Sequence, residues 1–262
     1  QGGDITTFDM QNHNNGVTGA VLCNFSHGLV ERADEDNAWV CVLAKSYEMI
    51  DDSTWEFKLR DDVTWHNGDP FTAADVKYTY ERAATDESLA ENHIFKVIKE
   101  VQIIDDYTVR FATDGPYPTL LSLLSKNGSQ VMPSKYIEEN GLDYYLEHPI
   151  GCGPYQFKEW VKDNVVVLER YDDYFGGTPY WDEVRFRAIP EASTRVAELL
   201  TGNVDIIVNV PTNEWDRINT EENTEMVLGN GTRIYNVIMK WNTSPTQNKQ
   251  VREAVAYAID AQ

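Results

Sequence analysis

The run Gly151-Cys152-Gly153-Pro154-Tyr155-Gln156-Phe157 constrains this chain more than any other. Two glycines bracketing one residue, closed by a proline, suit the chain geometry of a crossing between lobes, because glycine is conformationally permissive and proline fixes its own φ. We read these residues first as chain geometry and only secondarily as pocket lining. The apolar stretch Val165-Val166-Val167-Leu168 that follows is strand-like. After it come Tyr174-Phe175-Gly176-Gly177 and then Leu200-Thr201-Gly202-Asn203-Val204-Asp205-Ile206. None of these residues writes a chemical step.

With 262 residues the chain is one large domain or two small ones. Its 42% hydrophobic and 25% charged content is that of a folded protein. The net charge of −21, from 43 acids against 22 bases, argues against nucleic acid as a partner. Phosphate binding needs a local surplus of Lys and Arg, and here they are scattered. The acidity reads as a solvated, self-repelling surface, with a cation-attracting face as the other reading. Cys23, Cys41 and Cys152 have no metal-site spacing. They leave two readings open: a Cys23–Cys41 disulfide with one leftover thiol, or three free cysteines. No apolar stretch is long enough to span a membrane, and Gln1-Gly2-Gly3 lacks the basic and apolar regions of a signal peptide.

Periodicity places the elements. Residues 4–8 look like a strand, residues 9–16 are an Asn-rich loop, and Val17, Val21, Leu22 and Phe25 give one face of a helix stopping near Gly28. Trp55, Phe57 and Leu59 alternate as on a half-buried strand. Residues 63–66 continue as short β structure into the turn dipeptide Asn67-Gly68. Thr72 with Asp75 approximates a capping box for a helix that buries Ala73, Val76, Tyr80 and Ala83. Further strands are expected at 107–112, 183–189, 205–210 (buried) and 233–242. Further helices are expected at 120–124, from Pro133-Ser134 to Gly141, from a Ser193 cap to Gly202, and from Asn248 with Val251, Val255 and Ile259 on one face.

In their order and spacing these motifs resemble the extracytoplasmic solute-binding proteins of the peptide, nickel and opine class, which feed ABC importers. Members typically show Gly-Thr-Gly-Pro-Tyr, Tyr-Trp-Gly-Gly and Ser-Gly-Glu-Val-Asp-Ile. The stronger likeness is Leu59-Arg60-Asp61-Asp62-Val63-Thr64-Trp65-His66-Asn67-Gly68-Asp69-Pro70-Phe71-Thr72-Ala73-Ala74-Asp75-Val76. The family commonly reads Leu-Arg-Asp-Gly-Val-x-Phe-His-Asp-Gly-x-Pro-Phe-Thr-Ala-Glu-Asp-Val there. Asp62 stands where Gly is usual, at a turn position that can require positive φ, and Trp65 stands where Phe is usual. The likeness runs from Phe8-Asp9 to Ala258-Ile259-Asp260.

The resemblance implies an α/β fold: a periplasmic-binding-protein-like lobe (type II, cluster C) with a mixed β-sheet and an inserted α/β subdomain, the second lobe mostly missing. Residues 1–31 and 149–232 would form the main lobe, 32–148 the insertion, and 233–262 the start of the truncated second lobe. It implies a receptor that closes two lobes on a small solute (an oligopeptide, dipeptide, metal chelate or opine) and delivers it to ABC permease subunits. The location implied is extracytoplasmic, in the periplasm or as a cell-surface lipoprotein. The membrane is then touched only through an N-terminal lipid anchor, with the export signal or lipoprotein leader left out of this chain.

The family places one side of its ligand on the loop before the first helix. Here that loop is Phe8-Asp9-Met10-Gln11-Asn12-His13-Asn14-Asn15-Gly16-Val17, with Met10 in place of the usual Pro. Its candidates are His13, Asn14, Asn15 and Gly16. Asn offers both donors and acceptors to peptide-like or carboxylate groups, and it is equally a turn residue. His13 either contacts a metal complex or is idle. Asn24, Phe25, Tyr235 and Asn236 follow, and Cys152, where the family usually has Thr, is a residue that could tune the cleft. Trp55, Trp65 and Trp160 read as core, His66 as a surface or turn residue, and Tyr171 and Tyr174 as cover for a hinge-side cluster. Peptide-binding members take an acidic anchor from the missing lobe, so this half alone is expected to bind solute weakly or not at all.

Catalytic patterns are absent from the sequence: no Gly-x-Ser-x-Gly elbow, no His-x3-His pair, no Walker loop, and Gly151-x-Gly153 lacks the third glycine of a dinucleotide fingerprint. No metal or cofactor is expected. With 43 carboxylates a pair of acids can always be drawn. The alternatives to a binding module are therefore a secreted carboxylate-dependent hydrolase, or a sensor or chaperone built on the same fold.

Overall fold

Asn15 starts the first helix, α1 (Gly16–Phe25), by accepting a hydrogen bond from the Thr18 N–H at 2.7 Å. Asn is among the best residues for that role. Val21, Leu22 and Phe25 are buried on one face, as their spacing predicts. The computed structural model describes residues 1–33, 38–229 and 236–259. After α1 a short antiparallel pair, β1 (Val30–Arg32) and β2 (Trp39–Cys41), leads to a four-stranded antiparallel sheet. Its strands are β3 (Ala44–Asp51), β4 (Thr54–Leu59), β5 (Ile98–Asp105) and β6 (Thr108–Thr113), in the order β3-β4-β6-β5.

The alternation read at 54–59 is realised: Trp55, Phe57 and Leu59 are buried, and Trp55 pairs across to Phe111 in β6. Helix α2 (Ala73–Thr85) packs on this sheet through Ala73, Val76, Tyr80 and Ala83. Phe111 meets Phe57 and Tyr80 edge-on, with ring centroids 5.3 and 5.1 Å apart. That geometry sets the positive ring edge against the negative face and contributes about 0.5–1.5 kcal/mol per pair beyond burial. The Tyr80 hydroxyl reaches the Ser129 carbonyl at 2.7 Å, so the buried ring leaves no unmet donor.

Asp75 joins the start of α2 to its surroundings. Its carboxylate accepts from the Thr72 N–H at 2.9 Å, from the Ser134 N–H and hydroxyl at 2.8 and 2.7 Å, and from the Trp65 indole at 3.3 Å. Burial nevertheless holds its carboxyl above the usual range. Four shorter helices follow: α3 (Asn92–Phe95), α4 (Leu120–Leu124), α5 (Ser134–Asn140) and α6 (Leu142–Glu147).

A second apolar cluster gathers Phe8, Leu22 and Phe25 with Met132, Ile137 and Tyr145 and with the sheet of β7 (Tyr155–Val161), β8 (Val165–Arg170) and β9 (Glu183–Arg187). Beyond it lie α7 (Ala192–Leu200), a 3-10 turn at Thr212–Glu214, α8 (Trp215–Thr220) and α9 (Lys249–Ala258). Asn248 caps α9 as the sequence predicts, accepting from the Gln250 N–H at 2.9 Å.

Several expectations are corrected. Residues 4–8 form no strand: Asp4 Oδ1 takes the Ile5 N–H at 2.8 Å and Thr18 Oγ1 takes the Thr6 N–H at 3.0 Å, groups that a ladder would need. Residues 63–66 contribute one isolated bridge, Thr64 to Pro70. Glu191, not Ser193, is the N-cap of α7. Residues 205–210 are neither paired nor buried, and Ile206 is 82% exposed. Of the strand expected at 233–242, residues 233–235 lie outside the described residues, and 236–240 have no regular structure. The fold class holds, but among the described residues every ladder is antiparallel, and segment 205–210 forms no strand, with bends at Asp205 and Asn209. Asp62 takes no positive φ and instead pairs with Arg60 at 2.6 Å. All three cysteines are free thiols.

Candidate functional site

The loop before α1 is fastened by charge. Asp9, buried, receives both terminal nitrogens of Arg82 on α2 at 2.9 and 2.6 Å. Gln11, also buried, accepts from Arg82 at 2.8 Å and donates to the Thr79 carbonyl at 2.6 Å. Burial works against the Arg82 charge, but the hydrogen bond and charge of Asp9 outweigh it and hold the guanidinium above its ordinary proton affinity. The loop is a fixed platform.

His13 stands in that platform at 4% exposure, with no hydrogen bond to either ring nitrogen. Burial pushes its proton affinity down. Glu91, the neighbouring Asn15 backbone and Asp9 work the other way, and Lys126 adds to the lowering. Asn14 and Gly16 are exposed beside it, and Asn15 is half-buried with its side chain committed to the helix cap.

One side of α1 remains open to solvent through Gly16, Ala20 and Cys23, and Asn24 is half-buried next to them. The Asn24 amide turns back to the Ala20 carbonyl at 2.9 Å, leaving its oxygen as the free polar atom of the pair. Ten residues at about 1.5 Å each separate the two ends of this face by roughly 15 Å. The Asn14–Gly16 group and Asn24 are therefore opposite ends of one surface.

Phe25 and Cys152 are corrected as surface candidates, since both are fully buried. Phe25 packs between Phe8 at 5.3 Å and His66 at 5.3 Å. The Cys152 thiol sits 3.6 Å from the Ser26 hydroxyl, and burial pushes its pKa up to about 11, so it is an inert packing group. Asn236 is exposed and outside any regular element, and Tyr235 lies outside the described residues. The structure thus brings together His13, Asn14, Asn15, Gly16 and Asn24 around α1, and sets Phe25 with Cys152 beneath them.

The crossing that opened the sequence reading lies under the C-terminal end of α1. Gly153 donates to the Phe25 carbonyl at 2.9 Å, and a Cβ at Gly153 would stand 2.6 Å from the Phe25 carbonyl carbon. A Cβ at Gly151 would overlap the Phe25 carbonyl oxygen outright. These are backbone atoms with no room to yield, which is why both positions are glycine. Tyr171 N–H reaches the Pro154 carbonyl at 3.0 Å and carries the chain toward Tyr174.

Sequence reasoning missed two histidines here. His66, read as a surface or turn residue, is half-buried, and it bonds to both glycines of the crossing. His27 bridges Glu31 and the Tyr174 hydroxyl, each at 2.8 Å. A carboxylate only accepts, so in the neutral ring Nδ1 carries the proton and Nε2 accepts from Tyr174. Burial pushes the Tyr174 phenol up to about 12. The Tyr174 and Gly151-x-Gly153 motifs pointed to this neighbourhood, but nothing in the sequence paired them with histidines 27 and 66.

Two cavities of about 290 and 320 Å³ lie elsewhere, flanking the first turns of α2 and α5 around Ala74, Ser134 and Lys135. Neither is lined by a residue of the α1 surface, which is an open face. Among the described residues no cluster of His, Cys, Asp and Glu could hold a metal ion, and no helix is long and apolar enough to cross a membrane.

The chain is similar to known proteins in sequence and in fold. The family model of the bacterial extracellular solute-binding proteins, family 5 (middle), matches residues 38–262. The glutathione-binding protein GsiB of Salmonella typhimurium is 29% identical over 264 aligned residues, covering 100% of this chain and 51% of that protein. Among solved structures, the Helicobacter pylori periplasmic binding protein DppA in complex with the peptide STSA superposes with a TM-score of 0.78 at 26% identity, over 85% of this chain and 48% of that one. The binding protein MoaA of A. tumefaciens R10 in complex with mannopinic acid gives 0.80 at 26%, over 98% and 54%. The chain spans about half the length of the curated relatives it matches.

Proposed function

Because the chain belongs to the bacterial extracellular solute-binding proteins of family 5, we propose that the whole protein captures a small peptide-like solute outside the cytoplasm and delivers it to an ABC importer. The match over residues 38–262 carries this reading. The relatives named above are binding proteins, and the compounds in their names (glutathione, a tetrapeptide, mannopinic acid) support a peptide-like or opine solute. We propose no catalysis. In this reading the open side of α1 is one wall of the solute site, with Asn14 and Gly16 at one end and Asn24 at the other, while buried His13 and the helix-capping Asn15 shape the first end from behind.

A single wall gives little affinity. Capture by lobe closure draws its energy from contacts made only in the closed form, so an opposing surface is required. The half-length match to the relatives is consistent with that surface lying in sequence beyond this chain. We further propose that residues 1–31 with 149–232, and residues 32–148, are two structural parts. The centring of one apolar cluster on Phe111 and of the other on Phe8 supports this, and the parts meet where Leu29, Val30 and Cys152 join the first cluster and Met132, Ile137 and Tyr145 join the second.

The test is calorimetric titration of the full-length protein with glutathione, the tetrapeptide STSA and mannopinic acid. One of them should bind at about 1 μM or tighter, and the 262-residue chain alone should bind it at least roughly 100-fold more weakly. Binding of none by the full-length protein would reject the solute class. Equal binding by the 262-residue chain would reject the need for an opposing wall.

A further inference from the structure

We propose that His66 is a positioning residue for solute capture: as the neutral Nε2–H tautomer it holds Gly151 and Gly153 at fixed spacing beneath the C-terminal end of α1, and proton uptake at Nδ1 releases them. The last step, an effect on capture, rests on the function proposed above.

Three hydrogen bonds define the arrangement. The His66 N–H donates to the Gly151 carbonyl at 2.9 Å, the Gly151 N–H donates to His66 Nδ1 at 3.0 Å, and His66 Nε2 lies 3.0 Å from the Gly153 carbonyl. A backbone N–H can only donate and a carbonyl can only accept. Nδ1 is therefore the acceptor and Nε2 carries the proton, which fixes the tautomer without reference to any titration. The ring is held between Phe25 of α1 at 5.3 Å and Tyr171, beyond β8, at 4.9 Å, both edge-to-face. Tyr171 is itself anchored, with its hydroxyl 2.8 Å from Thr64 Oγ1 and 3.2 Å from the Trp65 carbonyl.

The consequence reaches α1 through the glycines. Gly153 caps the Phe25 carbonyl, and neither glycine can shift toward α1, because backbone atoms of Asn24 and Phe25 already fill the space. Their position is thus set from above by α1 and from the side by one imidazole. A proton on Nδ1 would place two N–H donors face to face at 3.0 Å, which opens the clamp. The phenol of Tyr171 is the titratable group in ring contact with His66, and the other ring neighbour, Phe25, is uncharged. Burial, opposed only by the Gly153 carbonyl, lowers the His66 pKa to about 4. The clamp is therefore closed at neutral pH and opens in acid.

The experiment uses full-length protein labelled with 15N at histidine. Long-range proton–nitrogen correlation should show the Nε2–H tautomer at pH 7.5 for the resonance that His66→Gln removes, titrating well below pH 6. The protection factor of the Gly151 amide, its exchange corrected for the intrinsic rate at each pH, should fall as that ring protonates. Affinity for the tightest binder among glutathione, STSA and mannopinic acid should fall about twofold where half the rings are protonated, and about tenfold one pH unit lower. His66→Gln offers an acceptor and a donor on one planar group, so it should restore most of the affinity that His66→Leu loses and remove this pH-dependent step.

An Nδ1–H tautomer, an ordinary pKa, or a His66→Leu protein that binds with the wild-type pH profile would overturn the proposal. If His66→Leu fails to fold, the His66→Gln profile decides alone: a step identical to wild type overturns it. Should none of the three solutes bind wild-type protein at pH 7.5, the capture reading fails, while the tautomer and Gly151 exchange still judge the clamp.

Discussion

Residues 54–59, which alternate, and residues 205–210, an apolar run, both read as strands in the sequence and end in opposite environments. In the first, Trp55, Phe57 and Leu59 lie between β3 and β6 with α2 across them, and all three are buried. In the second, Ile206 and Val208 are 82% and 48% exposed, and among the described residues no strand flanks them. The exposed character continues through Val227, Leu228, Ile238, Trp241 and Tyr257. A strand is a cooperative object: alternation supplies an apolar face, but the N–H and C=O groups along its edges need a neighbour before the segment gains anything by ordering. The sheet region finds its neighbours inside residues 44–113, and the segment after α7 does not.

That contrast can be broken by mutation. Phe111→Ala removes a ring that touches both Phe57 and Tyr80 and should cost about 3–5 kcal/mol in chemical denaturation of this chain. A cost near zero would mean that the sheet region is no better packed than the C-terminal segment. Arg82→Met comes next, at about 3 kcal/mol or somewhat more, because it strands the buried Asp9 carboxylate while keeping apolar bulk. Its effect should centre on the loop before α1, readable as faster amide exchange at Gln11, whose N–H is bonded to Asp9 at 3.1 Å. Smallest are Ile206→Ala and Ile238→Ala, each within about 0.5 kcal/mol in the 262-residue chain. If either costs as much as Phe111→Ala, the segment has found a partner in solution and the comparison fails.

Acid sharpens it further. His66 has a folded pKa of about 4 against an ordinary 6.5, so the unfolded chain binds the proton first. Its contribution to stability is complete above about pH 6.5 and declines as pH falls toward 4, by on the order of 3 kcal/mol. Asp75, whose carboxyl is held above the usual range, acts in the opposite sense and favours the folded state when protonated. The difference between wild type and His66→Gln across this window isolates the histidine.

Much of the fold was legible because its determinants are local. The Thr72–Asp75 cap, the buried stripe of α2, the five-residue helix α4, the Gly141 stop and the Asn248 cap each depend on residues within one or two turns. The candidate site was legible only in part. Asn15 was singled out for its amide, and that amide caps α1. Cys152 was singled out by position in a motif, which does not report which way a side chain faces, and Phe25 lies, as its helical spacing indicates, on the buried face of α1.

By itself the sequence determined the family and many of the elements in their order, because those follow from short-range pattern, while the lack of room for a Cβ at 151 and 153 comes from the distant backbone of Asn24 and Phe25. Only the tertiary structure decided that His66, 85 residues from Gly151 along the chain, is the group that clamps the crossing. It also decided that segment 205–210 stays unpaired. Both depend on which distant surfaces meet, and a contact between residues far apart in sequence leaves no periodic trace in either one.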